Sequence, residues 1–127
     1  MAKIPPQLQD QIMKLQQLQQ KMEILVAQRR QLEQELKQTE SALSELETLE
    51  TDALVYKSIG AILVKANKEK VQEELGDRKE TLEMRVKSIV KQEERIKIDF
   101  EDKQKVLQAA IQQGQLGGMG GGFPGPM

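Results

Sequence analysis

The chain has 127 residues, which suits one domain, and 31% of them are charged, 19 basic against 20 acidic, for a net charge of −1. Aromatic residues make up 2% and there is no Trp, so a thick core of ordinary composition is not expected. The lack of Cys and His excludes disulfides, thiolate or imidazole metal ligands and nucleophile–histidine pairs, and the balanced charge supplies no basic field for nucleic acid. No run of about 18 apolar residues occurs, so no membrane span is expected. Met1 to Pro6 carries no apolar signal stretch, and the expected location is cytoplasmic.

Pro5 and Pro6 open the first predicted element, since Pro is tolerated in a first helical turn. A helix is predicted over 7–49, a stretch free of Gly and Pro and rich in Gln. Its apolar residues recur at three and four. With Leu8 as heptad position a, the a positions are Leu8, Leu15, Met22, Arg29, Leu36 and Leu43, and the d positions are Gln11, Leu18, Leu25, Leu32, Thr39 and Leu46. Nine of these twelve are apolar, a sustained coiled-coil seam.

The next stretch has a different texture. Residues 53–66 are rich in β-branched and large apolar side chains, with Gly60 supplying a turn, and they predict a β-hairpin with strands near 53–58 and 61–66 around an Ile59-Gly60 loop.

A second helix is predicted over 68–113, with Asn67 as its N-cap. Its d positions are Leu75, Leu82, Ile89, Ile96, Lys103 and Ala110, and its a positions are Gln72, Lys79, Val86, Glu93, Phe100 and Leu107. Opposite charges recur four residues apart, as in Asp99 with Lys103, which supports the helix by roughly 0.2–0.5 kcal/mol per pair. Gly76 inside it costs about 1 kcal/mol against Ala. Residues 114–127 are Gly-rich with two Pro and predict a disordered tail, because they bury too little surface to offset their ordering entropy.

A short hairpin between long helices turns the chain back on itself. The fold expected for residues 1–113 is therefore mainly α, a long antiparallel intramolecular coiled coil with one β-hairpin at the connection. The favoured register sets Leu32 opposite Val86, Leu18 opposite Phe100, Met22 opposite Ile96 and Gln11 opposite Leu107. A lone two-stranded hairpin is marginal in water, and this one is apolar on both faces with two open edges. Either it assembles with the hairpins of other subunits into a larger sheet or barrel, or it folds over its own helix ends.

At the opposite end, Ile4, Leu8, Ile12 and Met13 of the first helix and Val106, Leu107 and Ile111 of the second cluster near free tips. Ile12 and Met13 lie off the seam. They either meet the exposed apolar surface of a partner or are scattered surface residues of a fraying seam.

This layout resembles the β class of the prefoldin family, archaeal type. The resemblance rests on Ile4-Pro5-Pro6-Gln7-Leu8-Gln9, on the hairpin Val55-Tyr56-Lys57-Ser58-Ile59-Gly60 with Ile62-Leu63-Val64-Lys65, and on Thr81 to Val86 and Gln92 to Ile96. Gly76 departs from the polar helix former usual there. The resemblance implies a subunit of an ATP-independent hexameric chaperone, two α-class subunits with four β-class, whose hairpins build a β-barrel body. Its coiled-coil tips would hold non-native polypeptides, prevent their aggregation and pass them to a group II chaperonin. Carried onto this chain, assembly falls to Leu54, Val55, Tyr56, Ile59, Gly60, Ile62, Leu63 and Val64, and client binding to Ile4, Leu8, Ile12, Met13, Leu107 and Ile111.

Two other classes need weighing. A structural coiled-coil spacer or dimerisation protein would show the same heptads without needing an apolar hairpin. An enzyme would need a pocket and an activated nucleophile, whereas the serines here have no base and the carboxylates sit on solvated helices, so neither a catalytic residue nor a cofactor or metal is expected.

Overall fold

The structure is a computed structural model that describes residues 4–112. The expected tail, residues 114–127, lies outside them. The elements run α1 (Pro6–Glu47), β1 (Val55–Ile59), β2 (Ile62–Ala66) and α2 (Lys68–Gln112).

Local chemistry accounts for each boundary. Pro6 opens α1, and the Pro5 carbonyl accepts the amides of Leu8 and Gln9, both at 3.0 Å. With no Gly or Pro to stop it, α1 closes by tightening. The Thr48 amide bonds back to Glu45 and the Leu49 amide to Leu46, while the Thr48 hydroxyl donates to the Glu45 carbonyl at 2.7 Å. At the start of α2, Asn67 Oδ1 accepts the amides of Glu69 at 2.8 Å and Lys70 at 3.3 Å, the N-cap expected of it.

The strands pair antiparallel, from Val55 with Ala66 to Ile59 with Ile62, which leaves Gly60-Ala61 as a two-residue loop. The turn therefore sits one residue later than the predicted Ile59-Gly60. Gly60 has φ +57°, and no other described residue has a positive φ, the pattern of a type II′ turn with Gly at its first central position. The twist of such a turn matches that of the strands.

The chain divides into two compact units. One is Ala27–Val90, which holds the hairpin and the helical segments next to it. Its buried apolar residues are Leu32, Leu46, Val55, Leu82 and Ile89. Thr39 is buried with them, and its hydroxyl donates to the Glu35 carbonyl at 2.8 Å, so this polar seam residue is satisfied within its own helix. Glu35 with Arg78 and Glu40 with Lys79, each at 3.8 Å, link α1 to α2 at the surface and add little.

The other unit draws on the stretch up to Val26 and the stretch from Lys91 onward, so the start of α1 lies with the end of α2 and the helices run antiparallel. Leu8 and Leu18 are its buried apolar residues among those described. Leu18, Met22, Ile96 and Phe100 line one groove, the grouping that the expected register requires. In both units the heptad reading accounts for burial. All twelve a and d positions of α1 and all twelve of α2 are buried or half-buried, polar ones such as Arg29, Lys79 and Lys103 included. Arg29 pairs with Glu33 at 3.1 Å and Lys103 with Asp99 at 2.7 Å along their own helices.

The two described glycines carry opposite expectations. A Cβ on Gly76 meets nothing within 4 Å, so Gly76→Ala should gain about 0.4–1 kcal/mol of stability. A Cβ on Gly60 also meets nothing, yet its left-handed backbone should make Gly60→Ala cost about 1–2 kcal/mol. Urea midpoints of the two variants, moving in opposite directions at constant slope, check both.

Candidate functional site

The pairing register sorts the hairpin side chains onto two faces. Val55, Lys57 and Ile59 share a face with Ile62, Val64 and Ala66, and Tyr56 and Ser58 share the other with Leu63 and Lys65. The first face is partly covered by the chain itself. Val55 is only 8% exposed, and Lys57 reaches Glu74 of α2, Nζ to Oε2 at 2.7 Å. The far half of that face, Ile59, Ile62 and Val64, stays exposed. On the second face Tyr56 and Leu63 are exposed, Leu63 at 71%, and Leu54 is exposed just before β1.

Six of the eight expected assembly residues thus present apolar surface from one short ribbon. Val55 does not, and Gly60 serves the turn. Because the sheet has only two strands, each has an outer edge with no strand partner among the described residues. Exposed apolar side chains beside open edges invite strand pairing with another chain.

The hairpin is tied to α2 by charge. The hydrogen bond from Lys57, aided by its charge and that of Lys70, holds the Glu74 carboxyl below its ordinary value of 4.5. A lowered carboxyl pKa contributes stability above the ordinary value, and that contribution is lost as pH falls through the lowered one. The tie should therefore persist through neutral pH and loosen only in acid. In Lys57→Met, Glu74 should titrate at higher pH than in the parent chain. Side-chain carboxyl shifts measured by NMR across the titration test this, and an unchanged midpoint would contradict it.

The six expected client-binding residues all fall in the unit that joins the two helix ends, but their exposure differs. Met13 is 56% exposed and available. Ile4, Ile12, Leu107 and Ile111 are half-buried. Leu8 is 1% exposed, the most enclosed large side chain among the described residues, and in this arrangement it packs the seam. Val106, absent from that set of six, is exposed. It precedes the seam residue Leu107, at a position that flanks the seam. Gln11 Oε1 is buried without a hydrogen-bond partner, a weak point in this end of the seam.

No group of three or more acidic, His or Cys side chains among the described residues is placed to hold a metal ion. No helix among them is long and apolar enough to cross a membrane.

Comparison with known proteins agrees with this geometry. The sequence model of the prefoldin subunit family matches residues 9–114. Prefoldin subunit beta of Archaeoglobus fulgidus is 44% identical over 108 residues, covering 85% of this chain and 93% of the relative. That of Methanosarcina acetivorans is 43% identical over 110 residues, covering 87% and 94%. The crystal structure of the prefoldin beta subunit from Thermococcus strain KS-1 superposes with a TM-score of 0.80 at 35% identity, covering 87% of this chain and 96% of that one. A helix–hairpin–helix chain with these matches belongs to the prefoldin family of chaperone subunits, and the subunits it is similar to are those of the β class.

Proposed function

We propose that the chain works in the cytoplasm as one of four β-class subunits that join two α-class subunits in an ATP-independent hexameric chaperone. The hairpins close a shared β-barrel body, and the paired helix ends hold non-native polypeptides and release them to a group II chaperonin. The observation that carries this reading is the hairpin. Its exposed apolar side chains flank two edges that have no strand partner among the described residues. A coiled-coil spacer has no use for such a ribbon, so that reading is set aside.

Capture then follows from avidity. Each paired helix end exposes single apolar side chains, Met13 on one helix and Val106 on the other, and several ends on one body raise the effective concentration for a client already touched once. Release needs no chemistry because each contact is weak. Burying either side chain fully contributes on the order of 1.5–3 kcal/mol, so the double variant Met13→Ser/Val106→Ser should weaken each contact by roughly tenfold or more. The test is suppression of aggregation of a refolding client by the assembled complex. The variant should require markedly more complex at unchanged complex mass, and an unaltered suppression curve would overturn binding at the helix ends.

A further inference from the structure

The hairpin passes into α2 through one residue. β2 ends at Ala66, α2 begins at Lys68, and the side chain of Asn67 between them caps the helix. Among the described residues no backbone hydrogen bond joins either strand to α2. Strand and helix are therefore two arms that meet at Asn67, and side-chain contacts set the angle between them.

Packing sets that angle only at the base. Val55 is buried, whereas the ribbon from Tyr56 to Lys65 is exposed. A hollow of about 340 Å³ lies between the arms, lined by Ile59, Val64 and Ala66 of the hairpin and by Val71 of α2, so apolar side chains do not close the gap.

One polar contact spans it. Lys57 Nζ donates to Glu74 Oε2 at 2.7 Å, the only side-chain hydrogen bond from either strand to α2 among the described residues. Lys57 pairs with Val64, which precedes Asn67 by three residues, and Glu74 follows Asn67 by seven. Three residues of strand and seven of helix each measure about 10 Å. The ion pair thus joins arms of equal length well away from their pivot, where a short contact constrains the angle most. Lys68, bonded to the Leu49 carbonyl, ties the end of α1 beside the pivot and has little such leverage.

We infer that Lys57 and Glu74 form a brace that fixes the angle between the hairpin and α2, and so holds the open edges of the hairpin in the orientation in which other chains join them. The role in joining rests on the assembly reading above; the brace itself does not.

The chain has no Cys, so Ser58→Cys and Glu80→Cys place two spin labels at exposed positions, one on each arm. Pulsed electron paramagnetic resonance on the full-length chain, diluted with unlabelled chain, should give a narrow distance distribution. Adding Lys57→Met or Glu74→Gln should broaden it, and the exchanged pair Lys57→Glu with Glu74→Lys should narrow it again. In mixtures of the unlabelled variants with the cognate α-class subunit, the concentration at half-assembly should rise about two- to fivefold per lost pair, the range that exposed ion pairs give, and return in the exchanged pair. A distribution that both single variants leave as narrow as the parent's would overturn the brace. Broadening without a change in half-assembly would overturn its role in joining. A parent chain that stays monomeric beside the α-class subunit would overturn the assembly reading and that role together, and the distances would still decide the brace.

Discussion

Replacing Ile62 and Leu63 together by Asp should abolish assembly while leaving the chain as helical and as stable as before. Both side chains are exposed in the single chain, where substitutions typically change stability by about 0.5 kcal/mol or less. Ile62 and Leu63 lie on opposite faces of the ribbon, so the pair marks both of its apolar surfaces. In an assembled sheet each would contribute on the order of 1.5–3 kcal/mol, so the double variant should lose about 3–6 kcal/mol per hairpin, or two to four factors of ten in affinity. The buried carboxylates would add to that loss. Circular dichroism reports the helices and light scattering the mass. A variant that assembles like its parent would show that the hairpin's apolar faces are not the joining surface.

The seam should give the largest effect on the fold itself. Leu82, 3% exposed, is a d residue of α2 within the hairpin unit, and Leu82→Ala should destabilise by about 2–5 kcal/mol. Against a typical total of about 5–15 kcal/mol, that is a large share. Two residues along, Met84 is 66% exposed, so Met84→Ala should change stability by about 0.5 kcal/mol or less. The contrast between near neighbours on one helix tests the heptad register rather than helix propensity, because Leu and Met differ little in that respect. Similar urea midpoints for the two variants would contradict the seam.

Much of this was legible from spacing alone. Heptads assigned to each helix in turn, from Leu8 in α1 and from Gln72 in α2, fall on buried or half-buried positions, even where they land on Arg29, Thr39, Lys79 or Lys103. Periodicity fixes which face turns inward whether or not each residue suits it, and Thr39 shows how an unsuitable one is accommodated, by bonding to its own helix. Asn67 was legible as a cap because short polar side chains before a helix have few other roles.

Other features depend on contacts that spacing does not encode. The turn moved to Gly60-Ala61 because strand pairing runs to Ile59 and Ile62, a long-range outcome. The Lys57–Glu74 tie joins a strand to a helix seventeen residues on and leaves no local pattern. Leu8 and Met13 look equally apolar near one terminus, yet one packs the seam and the other faces outward. The register distinguishes them only when it is applied to the helix end as strictly as to the middle.

The central claim is that the hairpin becomes complete only in company. The direct measurement is the mass, by native mass spectrometry or light scattering at micromolar concentration, of the full-length chain mixed with its cognate α-class subunit. The account predicts one species with the mass of two α-class and four β-class chains. Separate monomers persisting in the mixture, with both proteins folded, would contradict it.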